Sequence, residues 1–383
     1  MHDMPVVITM GCIRQIVRLA GAAAILQSGL WAQFPHAPVR IHDLTQEADA
    51  IVVGTMQASS RQGSIINTQL QVLQTLKGQL PLGIVVVDVI PSRTLADSGA
   101  MPANMAGRTG LWFLRESTGE WQVLARAKGD FVRWEDYSLP LPNATPISPS
   151  SVVPGFAGAN ASADQLVLAA MVERYESLPH PGALDDLDVV DLGMWKRADA
   201  LAVVDVLRGS PKKDIQAIGL AAAIRLGVDD ALTALAGEAT FLQDSSKFFE
   251  IIYALNNFYM PNGEASIAPL QALIAARLNV PGLDLAAGTA LQRIRTKNVL
   301  PAMALLLDST DPQAELRAVS FFVRFTVFAQ ADGSIPDSGP IGPFWTRETQ
   351  TYQPGRNSPL KTADLVSFWK SWWLSHKAQL GFE

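Results

Sequence analysis

Ser210-Pro211-Lys212-Lys213-Asp214-Ile215-Gln216-Ala217 returns 101 positions later as Asp311-Pro312-Gln313-Ala314-Glu315-Leu316-Arg317-Ala318. A third copy starts at Val280, where Pro281, Asp284, Leu285 and Ala287 fill the same slots, and a fragment, Glu250-Ile251, falls between. The acidic-aliphatic pairs at Asp214, Glu250, Asp284 and Glu315 are 36, 34 and 31 residues apart. That period, in a stretch rich in Ala and Leu, predicts helical pairs that stack on their neighbours.

The recurring residues suit helix starts. Ser210 or Asp311 can accept a bond from a free backbone N–H. Pro211 or Pro312 fits the first helical position, which needs no donor. Asp214 or Glu315 then lies at the positive end of the helix dipole. Ala217, Ala287 and Ala318 permit close helix approach. Asp311-Pro312-x-x-Glu315-Leu316-Arg317-Ala318-Val319 resembles the start of a HEAT repeat, in which an aspartate-proline turn leads into a valine-arginine-x-x-alanine helix. Ser210 to Ala217 follows the same pattern with Gln216 in the arginine slot, and the copy at Pro281 has Ala286 there. The resemblance covers about 120 residues, with a spacing shorter than the usual HEAT period, and implies a HEAT-like α-solenoid. A tetratricopeptide array fits the period better, but its tryptophan and tyrosine signature positions are not visible.

Ahead of the array the period changes to two. Apolar or alternating runs at 50–56, 65–76, 84–90, 111–114 and 121–125 read as short strands. Ser117-Thr118-Gly119 suits a hairpin turn, and 131–134 reads as one more strand. With no helical pattern between them, these runs predict a small β-barrel or sandwich. Ala48-Asp49-Ala50-Ile51-Val52-Val53-Gly54 and Leu70-Gln71-Val72-Leu73-Gln74-Thr75-Leu76-Lys77-Gly78 resemble N-terminal modules of secreted bacterial proteins, and a similar pair occurs in netrin-like OB barrels. The expected fold class is therefore α+β multidomain, a small N-terminal β-barrel or sandwich followed by a HEAT-like helical solenoid.

The expected divisions are a signal peptide at 1–33, a β domain at 34–137 and a Pro-rich linker at 138–163. Helical repeats at 164–330, an irregular loop at 331–361 and a Trp-rich capping helix at 362–383 follow. Arg14 and Arg18 lead into an apolar stretch of about 14 residues, shorter than the ~20 that span a bilayer, and small residues follow near Ala32. These are signal-peptide features. An uncleaved anchor and a lipoprotein with Cys12 as the lipidated residue are the competing readings. Cys12 is the only cysteine, so the mature chain would lack disulfides, thiolate catalysis and Cys-ligated metals. The reading implies an exported, periplasmic or extracellular protein with no integral membrane span after cleavage.

Net charge is −6 and no basic patch stands out in the sequence, which argues against nucleic acid as a partner. No G-x-S-x-G, H-E-x-x-H or G-x-x-x-x-G-K-[ST] motif is present. His36 and His42 could join a metal site, but without a supporting acidic cluster they read as surface residues. Asp185, Asp186, Asp188 and Asp191 lack the Gly and terminal Glu of a calcium loop. No catalytic residue, metal or cofactor is therefore expected. Near the C-terminus Leu365, Phe368, Trp369, Trp372 and Trp373 line one helix face, a cap if buried and a binding patch if exposed. The candidate partner-binding residues are Arg293, Arg295, Lys297, Trp369 and Trp373. The leading expectation is a non-catalytic interaction or scaffold protein that holds an unidentified protein partner on its helical surface. The alternatives are a hydrolase or carbohydrate-active enzyme and a self-associating envelope protein.

Overall fold

The computed structural model describes residues 37–62, 65–89, 106–128, 134–158, 160–178, 189, 191–354 and 360–383. The signal-peptide segment, His36, Asp185, Asp186 and Asp188 lie outside them. The chain divides into two compact units, Met1–Ser148 with Ser162–Ala170, and Pro149–Ala161 with Met171–Glu383.

The first unit is built on a closed five-stranded β-barrel. Its strands are β2 (Ala50–Gln62), β3 (Ile65–Lys77), β4 (Gly83–Val89), β5 (Thr109–Ser117) and β6 (Glu120–Val123). The hydrogen-bonded order β2-β3-β4-β6-β5 closes through β2–β5, with Ala50 opposite Leu114 and Thr55 opposite Thr109. A two-residue β1 (Ala37–Pro38) pairs with β7 (Ala127–Lys128), and helix α1 (Ile41–Glu47) precedes β2. Alternation turns Ile66, Thr68, Leu70 and Val72 of β3 inward. They meet Val52, Met56, Val87, Trp112 and Leu114 in a filled interior. The Trp112 indole N–H donates to the Gly54 carbonyl at 2.9 Å, satisfying the one polar group that this side chain brings inside. Thr118 and Gly119 both have positive φ, as a two-residue hairpin between right-twisted strands requires. Trp134, read from sequence as strand, instead opens a short 3-10 turn to Tyr137, and 131–133 lie outside the described residues.

The Pro-rich stretch at 138–163 departs from the expected extended linker. Leu139–Pro140 forms β8 and pairs with β5, so the β fold continues past residue 137. The Ile147 backbone is held on both sides by the Gln74 amide, at 2.7 and 3.2 Å. Pro149–Val152 form a short helix, α2, followed by buried Val153 and Phe156. Apolar residues placed between the prolines anchor the segment, which composition alone does not reveal.

Helix α3 (Ala163–Ser177) is shared by the two units. The second unit then continues through α4 (Arg197–Arg208), α5 (Lys213–Arg225), α6 (Ala231–Leu242), α7 (Phe248–Asn257), α8 (Ile267–Ala275) and α9 (Leu283–Gln292). It ends with α10 (Leu300–Leu306), α11 (Pro312–Phe328), α12 (Arg347–Thr351) and α13 (Thr362–His376). Alternate helices pack in register: α5 on α7, α7 on α9, α9 on α11 and α11 on α13, with α6, α8 and α10 forming a second layer. The four recurring acids fall in the first turns of α5, α7, α9 and α11, the members of one layer.

In two copies, those of Asp214 and Asp284, the motif acid also ties its joint to the next. Asp214 accepts from the Ser245 hydroxyl (2.7 Å), the Ser246 hydroxyl (2.9 Å) and the Ser246 N–H (3.0 Å), in the turn that enters α7. Asp284 accepts from Ser309, which enters α11, at 2.5 Å. Ser210, Ser245 and Ser309 are buried, and each hydroxyl accepts the N–H two residues on. Ser210 therefore bonds in the turn before α5 rather than capping the helix, which starts at Lys213. Asp311 and Pro312 hold the expected positions, with Asp311 accepting from the Gln313 N–H at 2.8 Å. At the joint into α9 no serine is available; Gly282 makes the turn at φ +80°, and Glu250 pairs instead with Arg225.

Candidate partner-binding surface

The sequence-nominated residues turn inward or toward the chain itself. Trp369 is fully buried and stacks on Phe322 at 5.9 Å, while its indole N–H donates to the Tyr352 carbonyl at 2.9 Å. It offers nothing to a partner, because the stripe on α13 closes the array against α11. Trp373 is half-buried between Phe322 and Phe382. The Arg293 guanidinium donates to the carbonyls of Leu255 (3.1 Å), Asn256 and Tyr259 (2.6 Å). It thereby satisfies orphan acceptors at the C-terminus of α7. Lys297 donates to the Leu380 carbonyl at 2.9 Å and holds the end of the chain. Arg295 pairs with Asp337 across the loop after α11. Of the five, Arg295 keeps the most open side chain; Lys297 and Trp373 meet on the Phe382 ring, at 5.9 and 5.5 Å, while Arg293, Arg295 and the buried Trp369 hold separate partners.

An exposed aromatic patch lies elsewhere, on α7. Its inward residues Phe248, Ile251, Ala254 and Leu255 pack in the array. One turn apart on the opposite side, Phe249 and Tyr253 are 54% and 36% exposed, and Phe258 and Met260 just beyond the helix are 45% and 76% exposed. Tyr253 and Phe258 meet edge to face, with ring centroids 5.6 Å apart. The Arg225 guanidinium lies 5.2 Å from the first ring and 4.5 Å from the second. Arg225 comes from the last turn of α5, where a cation also suits the helix dipole. Its side chain is only 8% exposed and pairs with Glu250 at 3.5 Å.

Burying a guanidinium alone would be costly. Here a carboxylate neutralises it and two ring faces cover it, an arrangement worth roughly 0.5–2 kcal/mol per ring contact. The rings are thus fixed before any partner arrives, which lowers the ordering cost of binding. Aromatic, Met and Arg side chains are also the types enriched at interface centres. Glu250 is the motif residue of the incomplete copy, so the acid that ties joints elsewhere supports this patch here.

Two shallow hollows are polar. One, of about 380 Å³, is lined by Ala58, Ser59, Ser60, Asn67, Gln69 and Val86 on the barrel exterior. The other, of about 360 Å³, holds Asp205, Arg208, Asp230 and Glu238, with Arg208 gripping both Asp230 oxygens at 3.0 and 3.2 Å. Among the described residues no His, Cys, Asp and Glu cluster could hold a metal ion, and no helix is long and apolar enough to cross a membrane. No protein family, curated protein or solved structure matches the chain.

Proposed function

We propose that the protein is a non-catalytic binding or scaffold protein whose α7 patch engages a protein partner. The observation that carries this reading is the exposure of Phe249, Tyr253, Phe258 and Met260 on and just after α7, with the Tyr253 and Phe258 rings over a neutralised Arg225. The joint-building residues of the array are used internally, so binding is left to faces that the repeat motif does not mark. The repeating layers supply a rigid mount, which suits recognition by preformed contacts. An N-terminal segment with Arg14, Arg18 and a short apolar run supports an exported protein meeting its partner outside the cytoplasm.

The reading is tested by replacing Phe249, Phe258 and Met260 together with Ser and comparing retention of source-cell proteins on immobilised chain. The exposed Phe249 and Met260 changes should each shift stability by about 0.5 kcal/mol or less. Loss of the Phe258 ring over Arg225 costs roughly 0.5–2 kcal/mol more, so retention is compared after circular dichroism shows that the triple variant is folded. Removing anchor aromatics costs about 2 kcal/mol or more in binding, roughly thirtyfold. The expected result is a partner held by the unmodified chain and by a Leu374→Ser control, and lost from the triple variant. Equal retention by all three contradicts the reading.

A further inference from the structure

The arginines at the exit of α9 and along α11 are not balanced by carboxylates. Arg317 and Arg324 are seven residues apart on α11 and so share a face. Arg317 is half-buried and donates to the Gln292 side-chain carbonyl at 3.1 Å, while the Gln292 amide returns a bond to the Arg317 backbone carbonyl at 3.1 Å. Arg293 follows Gln292 and spends its donors on backbone carbonyls of α7 and the turn after it. Neither Arg293 nor Arg317 has a carboxylate partner among the described residues. Burial and the neighbouring Arg317 charge hold Arg293 below the usual guanidinium range, and burial does the same to Arg317.

Further along, Arg295 and Arg324 share one carboxylate, Asp337, with Arg324 at 2.6 Å. Partial desolvation pushes the Asp337 carboxyl up, but the hydrogen bonds and charges of Arg295 and Arg324 outweigh it and hold it below the usual range. Asp332, nearby in the chain, is turned to the Ser334 N–H and hydroxyl at 2.9 and 2.7 Å. Of these four guanidiniums, two share Asp337 and two have no carboxylate partner among the described residues, in a chain whose net charge is −6.

We propose that the Arg295–Arg317–Arg324 face binds an acidic segment of a protein partner, and that Asp337 is its built-in competitor. Arg317 and Arg324 are separated by roughly 10 Å along the helix, at 1.5 Å per residue. That is too far for one carboxylate or phosphate to span, and it matches about three residues of extended peptide. Planar guanidiniums are well shaped to hold carboxylates, and Asp337 shows one carboxylate bridging two of them, with one oxygen to Arg295 and the other to Arg324. A long nucleic acid would carry its charge past this face onto a predominantly acidic chain. The proposal names the partner's chemistry and rests on the partner-binding reading above, though on a separate face with its own test.

The test is titration of the full chain with an end-blocked octaglutamate peptide at low salt, followed by fluorescence anisotropy. The unmodified chain should bind, and Arg317→Gln combined with Arg324→Gln should weaken binding at least about tenfold. Asp337→Asn should tighten it about threefold by freeing two guanidiniums, a gain that a merely structural role for these residues would not give. Should the double variant fail to fold, Arg324→Gln alone and Asp337→Asn still decide the matter from an exposed site. Absence of binding, unchanged affinity in these variants, or tighter binding of a single-stranded oligonucleotide of equal charge overturns the proposal. If octaglutamate fails while the α7 triple variant still loses its partner, only this inference falls; the reverse pattern removes the patch and leaves the arginine face.

Discussion

Trp369→Ala should destabilise the helical unit by about 3–5 kcal/mol, the range for removing a large buried aromatic. The indole is fully buried at the junction of α13 with α11, among Phe322, Phe368 and Trp372, with ring centroids 5.1 to 5.9 Å away. Deleting it opens a cavity bounded by stiff rings that cannot collapse easily, and it leaves the Tyr352 carbonyl without its donor. The loss should appear as a lower urea midpoint, read by circular dichroism at the helical band. A change below about 1 kcal/mol would mean that α13 does not close the array. Replacing Trp373, which is only half-buried, should cost less.

Gly219→Ala tests packing against intrinsic propensity, because the two predict opposite signs. Alanine favours a helix interior over glycine by about 1 kcal/mol, so propensity alone predicts a more stable protein. Gly219, however, lies where α5 crosses the end of α4. A Cβ there would sit 2.7 Å from the Arg208 backbone nitrogen and 2.8 Å from the Leu207 carbonyl carbon. Backbone cannot move aside as a flexible side chain can, so the two helices must separate. Overpacking of this kind costs about 1–3 kcal/mol. The expected net result is a lower thermal midpoint, while Gly237→Ala on α6, where nothing lies within 4 Å, should be neutral or stabilising. A stabilised Gly219→Ala would contradict the close crossing of α4 and α5.

Much of the framework was legible because its chemistry is local. An acid in a first turn acts within a few residues, so its recurrence located the starts of α5, α7, α9 and α11. The aspartate cap with proline at the first helical position holds only at Asp311-Pro312, because α5 begins at Lys213, two residues after Pro211. Strand alternation and the Thr118-Gly119 turn were legible for the same reason. Non-local features were not. Closure of the barrel depends on β2 meeting β5 some 60 residues away. The packed state of residues 139–156 depends on acceptors and pockets that composition does not report. Arg293, Arg295 and Lys297 read as a short basic run, but two of the three are consumed by backbone carbonyls, which leave no mark in a sequence.

The α7 patch had a signal that could have been used. Phe248-Phe249-Glu250-Ile251-Ile252-Tyr253-Ala254-Leu255 is apolar nearly all round, and a helix in a two-layer stack has one side facing water. Excess apolar residues on that side mark a contact surface. Which of them face outward, and that Arg225 sits among them, required the fold. Arg317 and Arg324 were hidden similarly: the first was read as a repeat-motif position, and the second gains meaning only beside Asp337 and Arg295.

The central claim is that the outward side of α7 contacts a protein partner. It is tested most directly by placing a photo-reactive benzoylphenylalanine at Tyr253, beside Phe258 and Arg225, and irradiating the chain in extract of its source cells. The same residue at Leu374, exposed on α13, serves as the comparison. The account predicts one discrete crosslinked protein from position 253, absent from position 374 and lost when Phe258→Ser is added. No crosslink at 253, or the same products from both positions, would contradict it.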